Sequence, residues 1–182
     1  INTHLRATAQ RLADAGCDFF VCPDNTAHIA LEAASEPYPL PGLHIAEAVA
    51  ASAKADGRKR VALLGTRYTM EGPVYPAAFA RHGLEMRTPG AADRDLLNRI
   101  IFDELCLGRF EEPARREFVR VIDMLKAEGC DAVALSCTEI PILITPEMSP
   151  LPTLDSTRLL AHAAVASALG KAALPTWRGG AL

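Results

Sequence analysis

Apolar positions recur along the chain in two rhythms, one of 3.6 residues and one of short unbroken runs, and the two alternate. Leu5, Ala9, Leu12 and Ala13 keep helical spacing up to Gly16, which predicts a helix over residues 4–15 that stops at the glycine. A strand follows over Phe19 to Cys22. Beyond Pro23, Asn25 or Thr26 can cap a helix that continues through His28, Leu31 and Ala34, until Pro37, Pro39 and Pro41 break it. Residues 43–56 form an alanine-rich helical stretch, and Asp56 to Arg60 a polar turn. Val61 to Leu64 is a run short and apolar enough for a buried strand. Helical patterns then cover residues 73–82, 93–107 and 113–127, with a short strand over Leu84 to Arg87 and a turn at Pro89-Gly90. The run Ala132 to Ser136 ends on Cys137 and restarts at Pro141, reading as strand, loop and helix start. A proline-punctuated loop to Pro152 and a last helix from Thr157 to Leu169 complete the pattern, and the tail Pro175 to Leu182 reads as loose.

One phrase occurs twice. Gly16-Cys17-Asp18 and Gly129-Cys130-Asp131 each open an apolar run that ends in a polar loop, and they lie 113 residues apart. That offset carries Asp24, not Cys22, onto Cys137. Strands alternating with helices imply parallel βαβ units, and the repeat implies an α/β protein of two pseudo-symmetric parallel-sheet halves with a site in the cleft between them. Residues 1–57 with 156–182 are expected to form the N-terminal half, and 58–155 the half carrying Cys137. The strand ending at Gly65 precedes Cys137 by 72 residues. Its N-terminal counterpart would lie about 48 residues before residue 1, so the first βα unit of that half is expected to be absent from the chain.

Composition narrows the partners. The 182 residues are 49% apolar and 23% charged with a net charge of −3, sufficient for a sizeable core and without the basic footprint of a nucleic-acid binder. No apolar run reaches the roughly 18 residues that cross a bilayer. Five cysteines without a Cys-x-x-Cys pair argue against a disulfide framework or zinc ribbon and for reduced thiols in a cytoplasmic setting.

The chemistry centres on Cys137, at a strand end where helix N–H groups are expected to lower a thiol pKa from about 8.5, and on its twin Asp24. Two reactive groups on two strand ends suit the inversion of a carbon acid: one takes a proton from one face and the other supplies it on the opposite face, while hydrogen-bond donors hold the carboxylate. Asn25, Thr26 and Thr138 are donors of that kind. Gly65-Thr66-Arg67-Tyr68-Thr69 is either an anion cradle or a strand-to-helix turn needing a glycine for shape. Asp24 serves equally well as a helix cap. Glu139 can orient Cys137, bind a substrate amine, or support a helix N-terminus. Cys17, Cys22, Cys106 and Cys130 read as core, His28 as a packed or capping histidine more than an acid or base, and Arg109, after the glycine at a helix end, as a surface residue more than a partner for a side-chain carboxylate.

With Asn25-Thr26-Ala27-His28, Gly65-Thr66-x-x-Thr69 and Cys137-Thr138-Glu139 in place, nearly the whole chain resembles the aspartate/glutamate racemase superfamily of cofactor-independent racemases. The resemblance implies an isomerase of a small acidic amino acid such as aspartate or glutamate, without pyridoxal phosphate or metal. It makes Cys137 the second catalytic cysteine. Asn25, Thr26 and Thr138 become substrate contacts, and Thr66 and Thr69 the Gly-Thr loop. Where the family pattern has Cys-Asn-Thr, this chain has Asp24-Asn25-Thr26, and a carboxylate, ordinarily titrating at about pH 3.9, is a poor proton donor near neutrality. Branches that keep only the second cysteine resemble malonate decarboxylases, and another resembles maleate isomerases. A binding module without turnover is the remaining alternative. The expected partners are a small carboxylate or amino acid and, for assembly, a homodimer.

Overall fold

The computed structural model describes residues 1–34 and 36–177. Its framework is a four-stranded parallel sheet built from β3 (Arg60–Gly65), β4 (Glu85–Arg87), β5 (Ala132–Ser136) and β6 (Thr153–Asp155) in the order β4-β3-β5-β6. β3 and β5 run in register from Val61 opposite Ala132 to Gly65 opposite Ser136. Because successive side chains point to opposite faces, each central strand feeds two cores. Ala62, Leu64, Val133 and Leu135 pack against α6 (Ala91–Asp103), α7 (Glu112–Ala127) and α8 (Ile140–Leu143). Val61, Leu63, Ala132 and Ala134 pack against α3 (Ile45–Ala55) and α5 (Val74–Arg81), with Leu159 of α9 (Ser156–Ala168) at the margin. Burial on both faces is why these strands are unbroken apolar runs.

A second, smaller unit pairs β1 (Phe20–Val21) with β2 (Gly42–Leu43), also in parallel. It carries its own cluster of Ala9, Phe20, Leu31, Tyr38 and Leu40, under α1 (Asn2–Asp14) and α2 (His28–Glu32). Shifting α1 and α3 by 113 residues places them on residues 115–127 and 158–168, inside α7 and α9. Gly16 and Gly129 follow the equivalent helices with φ of 81° and 91°, the left-handed conformation that closes a helix and that only glycine adopts freely. Part of the Gly-Cys-Asp repeat is therefore architectural. Its third member supports this in the second half, where the Asp131 carboxylate accepts from the backbone N–H of Lys59 at 2.8 Å and of Arg60 at 3.3 Å.

Several expectations need correction. The helix predicted over 93–107 ends at Asp103, and a 3₁₀ turn covers Leu105–Leu107 before Gly108 closes it in the left-handed region. The tail is anchored as far as Trp177, whose carbonyl accepts from the Gly42 N–H at 2.7 Å; residues 178–182 lie outside the described residues. Cys17 and Cys106 are exposed and Cys130 is buried, so two of the presumed core cysteines face solvent. The longest helix among the described residues has 16 residues, and none is long and apolar enough to cross a membrane.

The small unit is locked to the large one through histidines. His28 donates from Nδ1 to the Asp24 carbonyl at 2.8 Å and accepts at Nε2 from the Ile45 N–H at 3.2 Å. It thereby joins the loop after β1 to the start of α3. Trp177 stacks on its ring at 5.5 Å. His44 caps α3, its Nδ1 accepting from Ala46 and Glu47, while its Nε2 meets Glu32 at 2.8 Å. Burial first, and then neighbouring His44, lower the His28 pKa to about 4. Between that value and the unfolded value of about 6.5, the proton binds the unfolded chain and not the fold. Stability therefore falls as pH drops through this window, by about 3 kcal/mol at pH 4. Denaturant melts from pH 7 to 4 should show this loss in the wild type, and a loss smaller by about that amount in His28→Gln.

Candidate active site

In a parallel sheet, ligands bind beyond the carboxyl ends of strands where the strand order reverses. Here the chain passes from β3 outward to β4 and then returns to place β5 on the other side of β3. The reversal lies between Gly65 and Ser136. A Cβ on Gly65 would stand 2.8 Å from the Ser136 carbonyl and 3.1 Å from the Thr69 Cβ, so the glycine is required by close strand approach. Beyond it opens a cleft of about 430 Å³ lined by Asp24, Asn25 and Thr26 from the loop after β1, Thr66 and Tyr68 from the loop after β3, and Ser136 to Glu139 after β5. Phe102 of α6 and Cys106 of the following turn close one side.

Asp24, Asn25, Thr26, Thr66, Cys137, Thr138 and Glu139 are thus brought to one cleft. Thr69 stands behind it: Thr66 caps the short helix α4 (Arg67–Glu71) by accepting from the Thr69 N–H at 3.3 Å. The Thr66 and Thr69 hydroxyls are 3.2 Å apart, and Thr26 approaches them at 3.1 and 3.3 Å. This knot joins the two halves with groups that can turn toward an anion. Arg109 is exposed, donates to the Asp103 carbonyl, and is not among the lining residues.

Asn25 is buried and largely committed. Its Nδ2 donates to Ser156 Oγ at 3.0 Å, its Oδ1 accepts from the Tyr75 hydroxyl at 2.6 Å, and Ser156 passes its own proton to the Leu135 carbonyl at 3.1 Å. Burial drives the Tyr75 pKa upward, keeping the phenol a donor. Beside Asn25, the Asp24 carboxylate accepts from the Ala27 N–H at 3.0 Å. That bond holds the turn before α2, whose first residue is flanked by Ala27 with no side-chain cap, so neither Asn25 nor Thr26 caps the helix as expected, and Asp24 both orders the turn and lines the cleft.

Cys137 departs from expectation. Its pKa is pushed up to about 12, first by burial and then by the Glu139 carboxylate that accepts its S–H at 3.0 Å. The following helix is a single turn of four residues, and its dipole does not offset desolvation. Glu139 moves the other way: burial raises it, but hydrogen bonds from Cys137 and Thr138 outweigh that and hold the carboxyl below its ordinary range. The resting dyad is a thiol donating to a carboxylate. Residues overlooked in the sequence are Tyr68, Phe102, Cys106 and Ser136, whose place in the cleft depends on tertiary packing that no local pattern announces.

The fold is that of Asp/Glu racemase structures, and the chain belongs to the Asp/Glu/hydantoin racemase family, whose pattern matches residues 2–164. It is 38% identical to a candidate Asp/Glu racemase from Yersinia pestis (TM-score 0.81), over 92% of this chain and 74% of that one. An aspartate racemase homologue from Pyrococcus horikoshii OT3 shares 28% identity at a TM-score of 0.80 over the same fractions. RacX of Bacillus subtilis (strain 168), a broad specificity amino-acid racemase, is 24% identical over 165 residues, 88% of this chain and 69% of its own.

Two outcomes follow from the dyad and its support. Alkylation of Cys137 by iodoacetamide, followed by peptide mass spectrometry, should accelerate about tenfold per pH unit from 7 to 9, as expected well below a thiol's pKa. Glu139→Gln should speed it several-fold at fixed pH by removing the charge that opposes ionisation. Tyr75→Phe leaves Asn25 Oδ1 buried without this donor and should cost about 1–3 kcal/mol in denaturant melts.

Proposed function

We propose that this racemase-family chain interconverts the enantiomers of an α-amino acid by proton transfer at the α-carbon, with Cys137 and Asp24 acting on opposite faces. The observation that carries the reading is the convergence of both repeat-related positions, Asp24 and Cys137, on one cleft. Cys137, held as a thiol, is suited to deliver a proton to a carbanion, and the Asp24 carboxylate is suited to remove one. The substrate's ammonium group complements Glu139 and lowers the thiol pKa by bringing positive charge beside it, which allows Cys137 to act as the base in the reverse direction. The Thr26 and Thr66 hydroxyls, oriented by Thr69 behind them, supply donors with Thr138 for the α-carboxylate as it takes on enolate character. Asn25 shapes this site more than it binds, since both ends of its amide already have protein partners.

The relatives are named for aspartate, for aspartate or glutamate, and for broad specificity.

The test is deuterium incorporation at Cα in heavy water, followed by loss of the Hα proton signal. Cys137→Ala should abolish exchange. Asp24→Asn, which can keep the Ala27 cap, should reduce it about 10²–10⁴-fold, the range for a positioned base. Undiminished exchange in Cys137→Ala would falsify the assignment. Carbon dioxide release from a disubstituted malonate, retained in Asp24→Asn and without amino-acid exchange, would replace it with a decarboxylase.

A further inference from the structure

One buried phenol acts next to both repeat-related positions. Tyr75 of α5 belongs to the core cluster that holds Val61, Leu63, Ala132 and Ala134 of the central strands, and its ring meets Phe79 edge-to-face at 5.6 Å. Its position is therefore set by the large sheet, which carries Cys137. Across the junction its hydroxyl donates at 2.6 Å to Oδ1 of Asn25, the residue after Asp24. The hydroxyls of Ser156 and of Ser136, the residue before Cys137, also act on the phenol and oppose the rise that burial imposes on its pKa.

The grip on Asn25 is two-ended. Ser156 accepts from Asn25 Nδ2 at 3.0 Å and donates to the Leu135 carbonyl at 3.1 Å, so the amide is fixed to β5 at one end and to α5 at the other. Asn25, Tyr75, Ser136 and Ser156 are each at most 5% exposed. Hydroxyls of the threonine knot can rotate to serve a ligand. The phenol–amide pair is satisfied in one pattern only, and a satisfied buried pattern of this kind holds one geometry.

Inversion makes a particular demand on that geometry. An acid and a base must touch opposite faces of one carbon, so the span between them is dictated by the substrate and not by either group alone. A displacement of about 1 Å can cost about 10²-fold in rate. We propose that Tyr75 is a positioning residue for the inversion: through Asn25 it sets the span between Asp24 and Cys137 so that both reach the same Cα. This rests on the racemase reading and adds to it the group that fixes the gap. Without the hydroxyl, one group still breaks the Cα–H bond, taking the proton and leaving the electron pair on carbon. Delivery from the opposite face is what fails. Solvent deuterium then replaces the proton on that first group and returns to the same face, giving labelled substrate without inversion.

The experiment follows L-aspartate, L-glutamate and L-alanine in heavy water at low conversion, with the full chain and with Tyr75→Phe. Deuterium at Cα is read separately in recovered L form and in D product. Lost stability lowers both in proportion and cannot move their ratio. Tyr75→Phe should reduce kcat for inversion about tenfold or more with little change in KM, and should raise label in recovered L form relative to D product several-fold. Val121→Ala, a cavity on the other face of the sheet, is the control for lost stability and should leave the ratio unchanged. Exchange and inversion falling together in Tyr75→Phe, at an unchanged ratio, overturns the positioning role and leaves the racemase reading intact. A second measurement needs no turnover. In Asp24→Cys, a short bifunctional thiol reagent should bridge residue 24 to Cys137, identified by peptide mass spectrometry, and adding Tyr75→Phe should lower the yield of that bridge. An equal yield overturns the proposal. No exchange of any of the three amino acids by the wild type overturns the racemase reading, and the bridge yield alone then decides whether Tyr75 sets the span.

Discussion

The buried chain of hydrogen bonds running from Tyr75 through Asn25 and Ser156 to the Leu135 carbonyl makes one site out of two sheets. Each link is between 2.6 and 3.1 Å, and each joins a different element: α5, the loop after β1, the start of α9 and the end of β5. The two-residue strands of the small unit contribute little backbone ladder of their own. The position of Asp24 is instead set by what holds its neighbours, with Asn25 below, the Thr26 hydroxyl at the threonine knot, and the Asp24 carbonyl on His28. Buried polar chains of this kind are costly when incomplete and specifying when satisfied. Here the geometry they specify is the relative placement of the two repeat-related positions.

The same low-dielectric surroundings explain the state of Cys137. A strand-end thiol near a helix start is ordinarily an activated one, but here burial and an adjacent anion dominate and keep the proton on sulfur. A resting site of this kind waits for charge supplied by its ligand. In the proposed reaction the ammonium of an amino acid complements Glu139, so the group that identifies the substrate also makes the thiol easier to ionise.

Much of the framework is legible in the chain. The periodic apolar faces of α1, α5 and α7 and the unbroken runs of β3 and β5 carry their own signals, since each buries a face of fixed period. The 113-residue offset also carries Asp24 onto Cys137, and the two line one cleft, because the helix-closing glycines recur with it. β2 is not legible: two residues after a run of prolines display no period. α4 is hidden because its start depends on Thr66 turning back to cap it. The Tyr68 and Phe102 side of the cleft arises only when α6 packs beside the sheet. The thiol pKa departs from the sequence-based expectation for a related reason, as desolvation is a property of the assembled core and not of the Cys-Thr-Glu spacing.

The stacking of Trp177 on His28 gives the molecule a built-in optical reporter. Trp177 is the single tryptophan of the chain, and its indole lies within 9° of parallel to the imidazole that holds the Asp24 loop. Indole emission is quenched by a nearby imidazolium and altered by solvent. Its intensity therefore tracks whether the C-terminal tail is seated on the His28 loop, and that docking can be followed without any label.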